Sequence, residues 1–96
     1  MSIRIGGYDF EHVSYDDVAD VLYLRNEHHQ GGVSTHGTTE GHAVRLDVNG
    51  NVIGMTIVNA RWLIERDGTV VISVPHQRIE APAKDLGVAL ERSASK

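Results

Sequence analysis

Histidine and glutamate side chains are concentrated in one segment of the 96-residue chain. The candidate ligands in segment 28–42 are His28, His36, His42 and Glu40. Imidazole and carboxylate groups bind zinc, nickel or iron, so the segment is a candidate metal or ligand site. The spacing is unfavourable, because Gly37-Thr38-Thr39 does not favour a helix and no His-Glu-x-x-His motif occurs. Solvated loop histidines are the favoured interpretation, and we expect no cofactor.

An acid–base group is a second possibility, in the first quarter of the chain. Tyr15, Asp20 and Tyr23 would converge with His12 if a hairpin closed over the turn that begins at Asp16. A general base needs a proton within hydrogen-bond reach and a matched pKa, and the sequence supplies neither. The acidic turn could hold calcium, but turn aspartates usually bind nearby backbone N–H groups. No phosphate loop or nucleophile elbow occurs, which favours a role without catalysis and leaves the question open.

The composition excludes several classes of protein. Thirteen acidic and nine basic residues give a net charge of −4, whereas a nucleic-acid-binding protein needs a basic face. The chain has no cysteine, which excludes disulfides and Cys-ligated zinc. It has no apolar run long enough to cross a bilayer and no signal-peptide apolar region. We expect a cytoplasmic protein with one domain at 1–92 and a disordered tail at 93–96, binding neither nucleic acid nor membrane.

The clearest local signal is Asn49-Gly50, which lies between two runs of alternating apolar residues. It predicts a hairpin with a two-residue type I′ turn, which needs positive φ at both central positions. The predicted cross-strand pairs are Val48–Asn51, Leu46–Ile53, Val44–Met55 and His42–Ile57. In this register one face of the hairpin is continuously apolar.

A second turn signal, Asp67-Gly68, predicts another hairpin. Both of its faces would be apolar, which a half-solvated sheet does not need. We therefore expect a homodimer with this hairpin at or next to the interface; the rival account is that a C-terminal helix covers the apolar face completely. The single tryptophan either packs in the core, which is the favoured interpretation, or anchors the interface. The expected interface residues are Trp62, Leu63, Ile64, Val70, Val71 and Ile72.

The remaining elements complete the predicted fold. Strands are expected at 8–13, 21–24 and 33–35, and an amphipathic helix at 82–91. The predicted fold is mostly β (α+β), with antiparallel hairpins that form a small twisted sheet or roll and one short C-terminal helix.

Two stretches resemble the bacterial and archaeal family called domain of unknown function 2283. The matching motif positions are Tyr15, Asp16, Asp20, Tyr23, Asp47, Gly50 and Gly54. The chain departs from the family at Thr56, where Glu is frequent, and at Arg61, which replaces Ser. The resemblance implies a small mostly β fold and no established activity, cofactor or catalytic residue. Some members are encoded beside small toxin-like proteins, which implies an antitoxin-like role with a small basic protein as partner.

Two hypotheses of function follow. The first is a self-associating protein-interaction module, with the antitoxin-like role as one form of it. The alternative is a small enzyme or metal-binding protein that uses the histidine-rich segment 28–42. The two-faced apolar pattern favours the first hypothesis, and only the number of histidines favours the second.

Overall fold

A computed structural model describes residues 2–26, 33–74 and 77–94 of the chain. The described elements are β1 (Ile3–Ile5), β2 (Tyr8–Phe10), β3 (His12–Asp16), β4 (Val21–Arg25), β5 (Ser34–Gly37), β6 (Ala43–Leu46), β7 (Val52–Val58), α1 (Ala60–Asp67), β8 (Thr69–Val74), β9 (Gln77–Pro82) and α2 (Ala83–Ala94). Five strands form one antiparallel sheet in the order β3-β4-β7-β6-β5, and two separate hairpins are formed by β1-β2 and β8-β9. The mostly β, antiparallel prediction is confirmed, as is a C-terminal helix.

One hydrophobic core joins the five-stranded sheet to the two hairpins and α2. Leu22, Val44 and Ile57 are buried on the inner face of the sheet. Ile72 and Leu86, from β8 and α2, are among the buried residues of the same cluster. The short helix is therefore stabilised by the apolar side chains that it buries, because a helix of this length is marginal alone. None of the helices in the described part of the chain is long and apolar enough to span a membrane.

The C-terminal helix agrees with the sequence pattern that predicted it. Leu86 and Leu90 are both buried, as the amphipathic spacing requires. Helix α2 begins at Ala83, directly after Pro82, and is assigned to Ala94. Its last two residues thus fall within the tail that was expected to be disordered, and residues 95–96 lie outside the described residues.

The Asn49-Gly50 hairpin forms, but its turn differs from the prediction. Among these residues only Gly50 has positive φ, at 84°, and its N–H donates to the carbonyl of Asp47 at 3.0 Å. The loop therefore has three residues, a type I turn followed by a left-handed glycine. Asp47 pairs with Asn51, since its N–H donates to the Asn51 carbonyl at 2.9 Å. The predicted Val48–Asn51 pair is consequently wrong.

A β-bulge restores the predicted register beyond this turn. Leu46 pairs with Val52 rather than Ile53, and Ile53 has no partner in β6. On the opposite side, the Ile53 carbonyl accepts the Asn26 N–H at 2.8 Å. The extra residue compensates for the longer loop, so the predicted Val44–Met55 pair is confirmed. Val44 and Met55 are both buried, as the apolar face requires.

The second predicted hairpin is wrong, because residues 60–67 form helix α1. Gly68 has φ of 77° and donates its N–H to the Ile64 carbonyl at 2.8 Å, which makes it a left-handed helix C-cap. Asp-Gly suits this cap as well as a turn, and the local sequence does not distinguish the two. Strand β8 instead pairs with β9, placing Ile72 opposite Ile79.

This correction changes the predicted interface. Val70 and Ile72 are core residues, exposed by only 1% and 0%, and cannot contact a second chain. Leu63 and Ile64 are half-buried against the core, and Val71 is half-buried on β8. Of the six expected interface residues, Trp62 is the large hydrophobic side chain that remains exposed, at 52%.

The first third contains one hairpin more than the sequence pattern predicted. Gly6 and Gly7, both with positive φ, connect β1 to β2. The predicted strand at 8–13 is two strands, since Glu11 separates β2 from β3. The N–H of Glu11 donates to the Asn26 side chain at 2.8 Å. The expected strands at 21–24 and 33–35 correspond to β4 and β5, the latter shifted to Ser34–Gly37.

Candidate functional site

Asp20 connects the β3–β4 turn to the beginning of helix α1. Asn59, at the N-cap position of α1, makes no side-chain capping bond. Asp20 supplies it instead: its Oδ1 accepts the Arg61 N–H at 2.8 Å and its Oδ2 accepts the Trp62 N–H at 3.1 Å. The Ala60 N–H donates to the Asp20 carbonyl at 3.1 Å. One residue of left-handed conformation thus satisfies three N–H groups at the start of α1.

Tyr15 completes this arrangement, which we call the Asp20 junction (Tyr15, Asp20 and the N–H groups of residues 60–62). Its hydroxyl donates to Asp20 Oδ1 at 2.7 Å. Burial raises the pKa of Tyr15 to about 12, helped by the hydrogen bond to Asp20 and by the charge of Asp20. Desolvation opposes ionisation of Asp20, but the N–H of Arg61 and the Tyr15 hydroxyl outweigh it and lower the Asp20 pKa.

The predicted acid–base group is only partly assembled. Tyr15 and Asp20 do meet, but their hydrogen bonds are directed to each other and to the α1 backbone. Tyr23 pairs with Ser14 and lies on the opposite face of the sheet from Tyr15. His12 is two residues before Ser14 in β3, so it also lies on the face opposite Tyr15. The hydrogen bonds of this pair thus satisfy backbone N–H groups at the start of α1.

Three other family-like motif positions, Asp16, Asp47 and Gly54, build turns and close packing. Asp16 Oδ1 accepts the N–H groups of Val18 and Ala19, both at 3.1 Å. Asp47 Oδ1 accepts the N–H groups of Asn49 and Asn51, both at 2.9 Å. A Cβ atom at Gly54 would lie 3.1 Å from the backbone carbonyl oxygen of Leu24. The described contacts at these positions are therefore with the chain's own scaffold.

Three exposed apolar side chains belong to segments whose backbones meet near Asp20. Val18, Val58 and Trp62 are exposed by 95%, 37% and 52%, and we call them the Trp62 surface. Val18 lies two residues before Asp20, and Val58 pairs with Val21, the residue after it. The guanidinium carbon of Arg66 lies 4.5 Å from the centre of the Trp62 ring, a cation–π distance. Sequence reasoning found Trp62 but missed both valines, which an alternating pattern does not single out.

A second candidate site is a cavity of about 460 Å³, here called the His42 cavity. Thr69 and Val71 of β8 line it together with Arg78 and Glu80 of β9. These side chains lie on the hairpin face opposite the core-facing Ile72 and Ile79. Leu63 and Arg66 of α1 line a second part, and Glu40 and His42 a third. The segment of Glu40 and His42 therefore meets the consecutive elements α1, β8 and β9 at one cavity.

Glu40 fastens its loop to strand β8. Its Oε1 accepts the Ser73 N–H at 2.9 Å, and its Oε2 accepts the Ser73 hydroxyl at 2.6 Å and the Thr39 hydroxyl at 2.9 Å. The Ser73 hydroxyl is the main reason that the pKa of Glu40 falls to about 2, against opposing desolvation. The carboxylate is thus charged at neutral pH and already bound by donors of the protein.

His42 is the buried polar residue of the described core, only 3% exposed. Its Nδ1 lies 3.1 Å from the Val58 N–H, which must donate to it. The proton of the neutral ring is therefore on Nε2. Burial lowers the pKa of His42, and the nearby charge of Glu40 opposes this only in part. Neither His42 Nε2 nor the buried Thr69 Oγ1 has a hydrogen-bond partner among the described residues.

The candidate ligands from segment 28–42 are only partly brought together. Glu40 and His42 line the same cavity. His36 is exposed, with its Nε2 3.1 Å from Ser34 Oγ, and is not among the lining residues. His28 lies outside the described residues. Over residues 2–26, 33–74 and 77–94, no group of three or more His, Asp or Glu side chains could hold a metal ion.

Sequence reasoning singled out some of the residues that line this cavity but did not predict that they meet. Thr69, Arg78 and Glu80 come from a hairpin that was not predicted, and Ser73 gives no local signal of its contact with Glu40. Only the apolar–polar alternation of β8 and β9 could have indicated that these side chains share one face.

Comparison with known proteins agrees with the motif positions. Residues 12–61, just over half of the chain, match the family described as protein of unknown function (DUF2283). No curated protein and no solved structure matches the chain. The matched segment begins with β3 and ends at Arg61, whose N–H is bound by Asp20. The family segment contains Tyr15, Asp20 and the bound N–H groups of residues 60 and 61, with Trp62 following directly. The chain therefore belongs to the DUF2283 family.

Proposed function

We propose that this protein is a self-associating protein-interaction module, and that the Trp62 surface binds a second copy of the chain. The observation that carries the proposal is the exposure of Val18, Val58 and Trp62, large hydrophobic side chains on three segments whose backbones meet near Asp20. Scattered exposed hydrophobic residues need no explanation, but grouped ones are typical of interaction sites. Tryptophan is also a frequent energetic anchor of interfaces.

The Asp20 junction holds this surface in place before binding. Asp20 accepts the backbone N–H of Trp62, and the cation–π contact with Arg66 orients the indole ring. Arg66 is itself held by two hydrogen bonds to Asp67, at 2.9 and 2.7 Å. Side chains that are ordered before binding lose less conformational entropy on association, which favours an interface here.

The charges beside the Trp62 surface suit a two-fold pair. Asp16 and Asp17 flank Val18 on one side, and Arg66 covers Trp62 on the other. In a two-fold dimer each surface meets a copy of itself. The acidic turn of one protomer would then face Arg66 of its partner twice, which steers the two copies into register.

Light scattering at micromolar concentration tests the proposal. The wild-type protein should have a mass of about 21 kDa, twice the 10.5 kDa of one chain. Val18→Asp and Trp62→Glu should give the 10.5 kDa monomer, because both place a charge within the apolar contact. Val48→Asp is the matched control, since Val48 is also an exposed valine, at 67%, but lies in the β6–β7 loop.

The single tryptophan gives an independent measurement. Its fluorescence should shift to shorter wavelength as the protein concentration rises, because association removes Trp62 from water. The shift should persist in Val48→Asp and vanish in Val18→Asp. Circular dichroism should show folded protein in both variants. A wild-type mass of 10.5 kDa at all concentrations, with unchanged fluorescence, would contradict self-association.

A further inference from the structure

The loop between β5 and β6 is fastened to the rest of the fold at two points. At the first, the Glu40 carboxylate accepts the Ser73 N–H at 2.9 Å and the Ser73 hydroxyl at 2.6 Å. At the second, His42 Nδ1 accepts the Val58 N–H at 3.1 Å. Gly41, with φ of 91°, stands between the two residues. One loop is thus held to β8 by a carboxylate and to the end of β7 by an imidazole.

The contact between His42 and Val58 requires a neutral ring. A protonated histidine carries a hydrogen on both ring nitrogens and has no acceptor, so neither orientation of the ring could accept the Val58 N–H. His42 is only 3% exposed, and its Nε2 has no hydrogen-bond partner among the described residues. A positive charge on this ring would therefore be buried without a hydrogen-bonded counterion, which is costly. Protonation of His42 and its contact with Val58 exclude each other.

The charged groups around His42 do not offset this cost. Glu40 favours a positive charge on His42, but its two oxygens already accept hydrogen bonds from Ser73 and Thr39. His36, on the neighbouring strand β5, is exposed and lies 3.1 Å from Ser34 Oγ. The other charged residues that line the cavity beside His42 are two basic and two acidic ones, Arg66, Asp67, Arg78 and Glu80. Burial is the larger influence and lowers the pKa of His42 below its usual 6.5.

We propose that His42 is an acid-sensitive latch, which holds the end of β7 when it is neutral and releases the Val58 N–H when it is protonated. The contact between Glu40 and Ser73 persists, so mild acid opens one of the two fastenings of the loop and leaves the other closed. The latch acts within one chain and does not depend on self-association. Val58 also belongs to the Trp62 surface, and the effect of the latch on a second copy rests on the proposed function.

Hydrogen exchange of the wild-type chain, followed by NMR from pH 7.5 to 5.5, tests the latch. Each exchange rate is divided by that of an unstructured peptide at the same pH, which gives a protection factor free of the intrinsic pH dependence. An opened state with a hydrated His42 takes up a proton below pH 6.5, the usual pKa. The protection factor of the Val58 amide should therefore fall by about tenfold over this interval. That of the Ser73 amide should stay constant, because Glu40, with a pKa of about 2, remains charged.

His42→Asn separates the latch from other effects of acid. Asparagine Oδ1 can accept the Val58 N–H in place of Nδ1 and does not titrate, so the protection of Val58 should become independent of pH. His36→Asn removes an exposed histidine on the neighbouring strand and should keep the wild-type pH dependence. The comparison of Val58 with Ser73 in the wild-type chain stands even if His42→Asn does not fold. Constant protection of Val58 in the wild type, an equal fall at Ser73, or the same fall in folded His42→Asn would each overturn the proposal.

Discussion

Asp20 is the residue on which the helix-capping account depends, and Asp20→Asn is its most informative perturbation. Asparagine tolerates the left-handed conformation that Asp20 adopts, with φ of 57°, so the substitution adds little backbone strain. It removes the negative charge and leaves one acceptor oxygen where Asp20 has two. The N–H groups of Arg61 and Trp62 and the Tyr15 hydroxyl can then no longer all be satisfied as they are now.

The expected loss of stability follows from these contacts. Loss of an N-cap acceptor typically costs about 1 kcal/mol. The weakening of the remaining charge-assisted bonds adds about 1 kcal/mol, since each such bond contributes about 1.5–3 kcal/mol when fully formed. The free energy of unfolding should therefore fall by about 2 kcal/mol. With a urea m-value of about 1–1.5 kcal/mol/M, the midpoint should fall by about 1.5 M.

Urea unfolding at pH 7, followed by circular dichroism at fixed protein concentration, measures this difference. Glu11→Gln is the control, since Glu11 is an exposed carboxylate residue just before β3, outside the Trp62 surface, and should change stability by less than about 0.5 kcal/mol. If Asp20→Asn and Glu11→Gln had the same small effect, Asp20 would not be the cap of α1.

The same variant has a defined dependence on pH. The pKa of Asp20 in the folded protein is below its usual value of 3.8. The Asp20 charge therefore contributes its full stabilisation above pH 3.8, the usual pKa. This stabilisation is lost as the pH falls through the lower pKa of the folded state. The stability difference between wild type and Asp20→Asn should be constant from pH 7 to about pH 5 and shrink in more acidic solution.

Three further predictions concern the turns, α2 and the loop held by Glu40. Gly50→Val should lower the free energy of unfolding by about 1–2 kcal/mol, because Gly50 has φ of 84°, and Gly50→Asn should cost less in the same thermal melts. Gly87→Ala should raise it by about 0.5–1 kcal/mol, since no heavy atom lies within 4 Å of the added Cβ apart from the local backbone. Glu40→Gln should lower the melting temperature at pH 7, because it weakens the hydrogen bonds to Ser73. The difference from wild type should disappear between pH 4.5 and about 2, because the stabilisation by the charged Glu40 carboxylate is lost over that interval. An unchanged melting temperature at pH 7 would exclude this role for Glu40.

The elements that the sequence predicted well are those specified by local patterns. The β6–β7 hairpin and α2 carry an alternating pattern and an amphipathic pattern, respectively, and both form. The turn length was wrong because Asn-Gly suits both a type I′ turn and a type I turn with a left-handed glycine. The alternating strand pattern could not reveal this difference, because the bulge at Ile53 returns Val44 to its expected partner.

The largest error concerned a segment whose structure is set at long range. The sequence from Ala60 to Gly68 suits either an apolar strand with an Asp-Gly turn or a helix with a glycine C-cap. The N-cap that helps to decide between them comes from Asp20, which lies about 40 residues earlier in the chain. The His42 cavity was missed for the same reason, because Glu40 and Ser73 give no local sign that they meet.

The central claim is that the Trp62 surface binds a second copy, and a charge exchange tests it most directly. Asp17→Arg and Arg66→Glu should each be monomers of about 10.5 kDa, because each places like charges across the two-fold contact. In an equimolar mixture, opposite charges face each other in both contacts, so sedimentation velocity should show a heterodimer of about 21 kDa, twice the monomer mass. A mixture that sediments as monomers, or variants that alone sediment like the wild type, would contradict the claim.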